Sequence, residues 1–275
     1  MNHLLLAETV TSPGAIHLTA GDLVIAVLLI FVAGFTSAML RLGMGRRLVV
    51  ASFRTVVQLL LVGYLLRYIF AVDHPGLIFA AAVFMSIFAG FTAVRRPART
   101  FRGATWRACL TLIITGLATV FIVTRVIIGA EPWYRPQYLI PLLGMILGNS
   151  LTGISLALDS LLASFSEHRE EIEMQLALGA TSWEAARKSV AEAVRRGMIP
   201  IINAMMVVGV VSLPGMMTGQ ILAGADPMEA VKYQIVVMFM IAAASTAGAI
   251  GVTVLVFRRL FSEHHQLRSE LIIKR

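Results

Sequence analysis

The run SFSEHREEIEMQLALGATSWEAARKSVAEAVRRGMIP, residues 164–200, is the one long polar segment in an otherwise oily chain. Two capping-box patterns sit in it, Ser164-x-x-Glu167 and Thr181-x-x-Glu184. In such a box a hydroxyl accepts from an orphan backbone N–H while the glutamate reaches back to the cap. Gly179 suits the left-handed position that ends a helix. The spacing therefore predicts a helix, a glycine break and a second, capped helix. In that second helix Trp183, Ala186, Val190 and Val194 share an apolar face. Glu184 with Lys188, and Glu192 with Arg196, fall at i,i+4 on the other. Two readings stand open at this point: a solvated linker between membrane helices, or a segment that another chain grips.

The surroundings are membrane-like. Of the 275 residues 58% are hydrophobic and only 14% charged, with a mean hydropathy of +0.83. Soluble domains carry about a quarter charged residues, so an all-α integral membrane protein is expected. The formal net charge of +8 is spread between apolar runs, with no basic stripe interleaved with aromatics, which argues against nucleic acid. One cysteine, Cys109, rules out an internal disulfide or a CxxC pair. No basic n-region precedes the first apolar run, so no cleaved signal peptide is expected.

A membrane-crossing helix takes about twenty mostly apolar residues. Seven runs qualify: 22–40, 49–70, 76–94, 106–129, 138–162, 199–223 and 233–257, the fifth opening with Pro141 in its first turn. Seven crossings put the termini on opposite sides. The loops after the first, third and fifth runs, the openings of the second and fourth runs (Arg54, Arg107) and the tail 258–275 together hold 19 of the 23 basic residues. The positive-inside bias then places the N-terminus outside and the segment 164–200 and the tail in the cytoplasm. A single transmembrane domain spanning 1–275 is expected, with only the tail after Phe261 loosely ordered.

Catalytic motifs are missing. Each of the three lysines, Lys188, Lys232 and Lys274, lacks the preceding glycine of a phosphate loop, and neither HExxH nor GxSxG occurs. If the chain runs on ATP, another chain hydrolyses it. The six histidines (His3, His17, His74, His168, His264, His265) fall outside the apolar runs. Polar groups within the runs are few and therefore informative. Arg54 can snorkel, whereas Gln58 lies about 6 Å deeper at 1.5 Å per residue and must face protein. Asn149-Ser150 follows Gly144 and Gly148, a spacing that fits either tight helix packing with an interhelical hydrogen bond or a pathway. The sixth run is interrupted by Ser212-Leu213-Pro214-Gly215-Met216-Met217, and broken helices in membranes meet protein or a wet cavity. Met216 and Met217 offer thioethers suited to soft ions, or fill gaps. Gln58, Asn149, Ser212, Pro214, Met216 and Met217 are the candidate pathway residues.

These residues carry a family resemblance. Arg54-Thr-Val-Val-Gln58-Leu, Val62-Gly63-Tyr64, Pro141-Leu-Leu-Gly144-Met145-Ile, Gly148-Asn149 and Leu176-Ala-Leu-Gly179-Ala-Thr181 are five of its landmarks. Val208-Gly209-Val-Val-Ser212-Leu-Pro214-Gly215-Met216-Met217, Gly224-Ala-Asp226-Pro227, Lys232-Tyr233-Gln234 and His265-Gln266-Leu267 complete the set. Together they resemble the FetB/YbbM permeases, bacterial ABC-transporter membrane subunits linked to iron export and related to plant aluminium-tolerance permeases. Leu-Gly-Ala-Thr-x-x-Glu-Ala is also similar to the coupling loop of ABC importer permeases, although Glu171-Ile-Glu173-Met stands where that loop has Glu-Ala-Ala.

The resemblance implies a non-catalytic permease in a bacterial inner membrane that pairs with a second copy of itself. It also implies two copies of a separate ATPase, which carry the ATP and Mg; this chain itself binds no cofactor. The implied ATPase-coupling residues are Glu173, Leu176, Ala177, Gly179, Ala180, Thr181 and Trp183. Cargo would be iron or a related metal species, with an organic molecule or chelate as the alternative and the metal-binding residues unknown. A seven-helix receptor and an ion-driven carrier are the rivals. Neither needs a doubly capped cytoplasmic helix pair, and a carrier lacks a mid-membrane Asp, Glu or His relay here.

Overall fold

The computed structural model describes residues 19–41 and 43–274. Expectations about the extreme N-terminus, His3, His17 and Arg275 fall outside them. The chain divides into two compact units: the part up to Val72 together with Gly215–Ala230, and Asp73–Pro214 together with the part from Val231 onward.

The first unit contains α1 (Ala20–Met39), α2 (Gly45–Val72), α8 (Gly215–Leu222) and the opening turn of α9 (Pro227–Leu260). Thr19 caps α1 with a reciprocal box, its own N–H reaching Asp22 Oδ2 at 2.7 Å. α1 and α2 pack on one another. Almost every side chain of α2 points outward, Ile69 being its buried exception. An apolar surface so exposed needs lipid or protein against it. At the start of α9, Asp226 Oδ1 accepts from the N–H groups of Met228 (2.9 Å) and Glu229 (3.1 Å), and Pro227 fills the first helical position. The Asp226-Pro227 landmark is thus a helix start.

The second unit is built on α5 (Pro136–Glu167), 32 residues long. Packed on it are α3 (Pro75–Arg95), α4 (Ala104–Phe121, continued by a π-helical turn Ile122–Ile127) and α7 (Ser182–Val207), with the short α6 (Arg169–Ala177) between α5 and α7. Leu139, Leu143, Ile146, Ile154 and Leu161 of α5 are fully buried. Where α5, α7 and α9 cross, Gly153 and Gly197 face one another. A Cβ on either would lie 2.8 Å from the other's carbonyl oxygen, so only glycine permits this approach.

Among the described residues, six helices are long and apolar enough to cross a membrane: Gly21–Met39, Gly45–Val72, Pro75–Arg95, Ala104–Ile127, Pro136–Glu167 and Pro227–Leu260. The seventh expected run, 199–223, corrects the sequence reading, because it is not one helix. α7 stops at Val207, a turn spans 208–214, and α8 restarts at Gly215. Gly209 is left-handed (φ +83°) and its N–H donates to the Ser212 carbonyl at 2.9 Å. The residue before a proline resists helical angles, so Pro214 keeps the turn open. The break therefore begins at Val208, ahead of the proline. Pro141, expected in the first turn of the fifth run, lies inside α5 because the helix already starts at Pro136.

The connections that carry the basic residues of this unit meet at one end. β1 (Arg99–Phe101), between α3 and α4, pairs antiparallel with β2 (Ile272–Lys274) of the tail, Thr100 opposite Ile273. Arg99 bonds Glu167 at 2.8 Å, and Asp159 accepts from the Ala98 N–H at 3.0 Å. The tail is consequently ordered rather than loose: Leu267 is buried and pairs with Phe261. At the other end Trp133 sits edge-on to Phe121 (5.0 Å) and Phe79 (5.8 Å).

Candidate functional site

The helix pair around Gly179 is the site for which local chemistry and exposure agree. α6 ends in a complete Schellman motif: Gly179 is left-handed (φ +93°), its N–H donates to the Leu176 carbonyl at 3.1 Å, and the Ala180 N–H to Gln175 at 3.0 Å. Two residues on, Thr181 caps α7. Its side chain accepts from the Glu184 N–H at 3.3 Å, and its own N–H donates to Glu184 Oε2 at 2.8 Å. The Thr181 hydroxyl donates to the same oxygen at 2.7 Å, and this bond first, then the one from the Thr181 N–H, holds the Glu184 carboxyl below the usual carboxylate range. Sharp stop and immediate restart fix a tight turn with little freedom.

The other expected cap does not form. α5 runs unbroken through Ser164 to Glu167, and the Ser164 hydroxyl instead donates to Ser189 Oγ at 2.8 Å, tying α5 to α7. The Glu184–Lys188 pair is likewise replaced, since the Glu184 carboxylate is engaged by Thr181. Glu192 behaves as expected, bonding Arg196 at 3.0 Å and also Arg195 at 2.7 Å. Arg196 chiefly, then Arg195, holds its carboxyl low. The ends of α5, α6 and α7 enclose a polar groove of about 260 Å³, lined by Glu167, His168, Glu171, Lys188 and Ser189 among others.

Of the implied coupling residues, Glu173 is bonded by Arg169 at 2.6 Å. Ala177, Gly179 and Thr181 are exposed, while Leu176 and Ala180 are half-buried. Trp183 is 48% exposed and stacks edge-on against Phe257 at 5.6 Å. The sequence reading missed Leu178, 81% exposed at the apex, and Met174 beside it. Large apolar side chains in a polar segment were the available signal, Leu178 standing inside the quoted Leu-Ala-Leu-Gly run.

The pathway candidates are divided between the units. Gln58, Met216 and Met217 belong to the first; Asn149, Ser212 and Pro214 belong to the second. Asn149 is satisfied within its own helix, Nδ2 donating to the Met145 carbonyl at 2.9 Å, and the Ser150 hydroxyl is buried without a partner. The interhelical hydrogen bond that packing predicts there is not formed. Among the described residues no group of three or more His, Cys, Asp or Glu side chains converges to hold a metal ion.

Comparison with known proteins agrees with the helical, apolar architecture. A UPF0014 membrane protein of Synechocystis sp. is 42% identical over 222 residues, covering 79% of this chain and 84% of its own length. The probable iron export permease protein FetB of Escherichia coli is 31% identical over 251 residues, covering 91% and 95% respectively. The protein ALUMINUM SENSITIVE 3 of Arabidopsis thaliana is 32% identical over 246 residues, covering 90% and 89%. No solved structure matches. The family model described as Uncharacterised protein family (UPF0014) matches residues 20–261, and the chain belongs to this family of multi-pass membrane proteins.

Proposed function

We propose that this chain is the permease subunit of an ABC transporter, gripped at the α6–α7 turn by a separate ATPase. The observation that carries the reading is the turn itself. A Schellman stop and a capping-box start, two residues apart, present Leu178 outward from a segment that is otherwise polar. A solvated linker has no use for an exposed leucine on a rigid corner, whereas a groove in a partner does. Two copies of the chain with two ATPases, in a bacterial inner membrane with this turn in the cytoplasm, is the assembly that follows. ATP and Mg belong to the ATPase.

Iron or a related metal species, moved outward, is the cargo favoured by similarity to the probable iron export permease. The lack of a convergent ligand cluster among the described residues favours a metal chelate or an organic molecule as the second reading. The deciding experiment co-expresses the chain with its candidate ATPase, reconstitutes the pair and measures metal-stimulated ATP hydrolysis and transport. Gly179→Pro destroys the left-handed stop and is expected to uncouple hydrolysis from transport. Wild-type co-purification together with wild-type transport-linked hydrolysis in that variant would refute the coupling role.

A further inference from the structure

α7 begins with a donor that its own cap does not satisfy. Thr181 engages the N–H of Glu184, but the N–H of Ser182, first in the helix, has no intrahelical acceptor. It donates instead to Nδ1 of His265, 83 residues away, at 3.1 Å, and the Ser182 hydroxyl lies 2.9 Å from the same nitrogen. Accepting the amide proton leaves Nδ1 unprotonated and puts the ring proton of the neutral imidazole on Nε2. Ser182 is buried while His265 is exposed, so the contact is half-shielded from solvent.

The tail is folded to deliver that nitrogen. His265 is left-handed (φ +54°), uncommon for a residue with a side chain. Its N–H bonds the Ser262 carbonyl at 3.2 Å, and the Gln266 N–H bonds Ser262 Oγ at 3.1 Å. Arg268 N–H then returns to the Leu260 carbonyl at 2.7 Å. Next to the polar contact runs an aromatic series: Trp183 to Phe257 (5.6 Å), Phe257 to Phe261 (5.0 Å), Phe261 to Phe165 (5.5 Å). It links the first turn of α7 to the end of α9 and on to α5. β2 then fixes the far end of the tail to the α3–α4 connection.

We infer that the C-terminal segment Ser262–Lys274 is a working part of the docking module, with His265 as a positioning residue that clamps the first turn of α7 to the end of α9. The inference rests on the ATPase-docking reading. Displacement of the α6–α7 turn then reaches the membrane by two routes, along α7 itself and through His265 and Trp183 into α9.

The test uses the full chain reconstituted with its ATPase. His265→Gly removes the imidazole and relieves the left-handed strain. His265→Asn keeps an acceptor through Oδ1, and asparagine tolerates that conformation. In His265→Gly, amide exchange across Ser182–Glu184 is expected to rise about tenfold, as for one lost hydrogen bond. Cargo moved per ATP falls severalfold while the ATPase still co-purifies. His265→Asn stays within about twofold of wild type in both readouts, which restored geometry explains and general destabilisation does not. Wild-type exchange in His265→Gly, or raised exchange with unchanged transport per ATP, overturns this inference alone. A wild-type chain that binds no ATPase overturns the docking reading and the transmission with it.

Discussion

Gly197→Ala tests the close crossing of α5 and α7. A Cβ at Gly197 would sit 2.8 Å from the Gly153 carbonyl oxygen and 3.1 Å from the Cβ atoms of both Ala157 and Ala249. Ordinary contact begins near 3.4 Å, so α5 and α7 must part by 0.6 Å, the difference from 2.8 Å. Both partners at the tightest point are backbone, which cannot swing aside. Overpacking of this kind costs about 1–3 kcal/mol, while alanine returns up to about 1 kcal/mol of helix propensity over glycine. Taking the middle of the first range against the full propensity gain, the net loss is about 1 kcal/mol, or roughly 2–4 °C in Tm for a chain of this size. The control is Gly63→Ala in α2, where nothing lies within 4 Å of the added carbon; there only the propensity gain remains, and Tm holds or rises. Thermal unfolding in one detergent compares the two. Equal Tm values for Gly197→Ala and Gly63→Ala would refute the close crossing.

Leu178→Ser is expected to weaken ATPase association about tenfold without changing Tm, because the side chain is 81% exposed in the free chain and burying a leucine contributes about 1.5–3 kcal/mol; co-purification under titrated detergent measures it. Thr181→Ala removes the cap of α7 at a cost of about 1 kcal/mol, read as faster amide exchange over residues 182–185. Because Glu184 has its carboxyl held low in the folded chain, its contribution is complete above the ordinary carboxylate range. It is lost as pH falls through the depressed value, so exchange at these amides should rise below that range in wild type and less so in Glu184→Gln. Ser150→Ala and Ser245→Ala should be neutral or slightly stabilising, since each removes a buried hydroxyl without a partner. Ser86, Thr111 and Thr253, by contrast, bond carbonyls four residues back.

What was legible in the sequence is what local chemistry decides. Gly179 and the Thr181–Glu184 box mark a helix stop and a helix start by residue type and spacing alone, and both are formed. Six long apolar runs became six long helices because length and hydropathy suffice for that. The failures need non-local information. Ser164-x-x-Glu167 has the cap pattern, yet α5 has buried contacts through Phe165, and continuing the helix keeps them. Pro214 drew attention to the sixth run, but the left-handed Gly209 broke it a turn earlier. β1 and β2 are three residues each and pair across more than 170 positions, so neither strand has a period to read. His265 stood within a family landmark, and nothing in its neighbours indicates that Ser182 is its partner. The pathway candidates came from polarity and helix breaking, and their division between two units is not something either can foresee.

The geometry of α7 sets what a pull on the α6–α7 turn would do. The helix is 26 residues long, about 39 Å at 1.5 Å per residue, and its tightest contact is at Gly197. From there roughly 22 Å of helix extends back to Ser182 and roughly 15 Å forward to Val207. If Gly197 is the fulcrum, a displacement of about 3 Å at the α6–α7 turn moves Val207 by about 2 Å in the opposite sense, as the ratio of the arms requires. Pro200, three residues past the fulcrum, lacks the N–H that would bond the Arg196 carbonyl, so the two arms meet at the helix's weakest turn. Motion that arrives at Val207 then enters the 208–214 turn rather than a continuous helix, and that turn absorbs it as a change of backbone angle. Stiff transmission beyond α7 would therefore have to run through α9, to whose end His265 and Trp183 attach the first turn of α7.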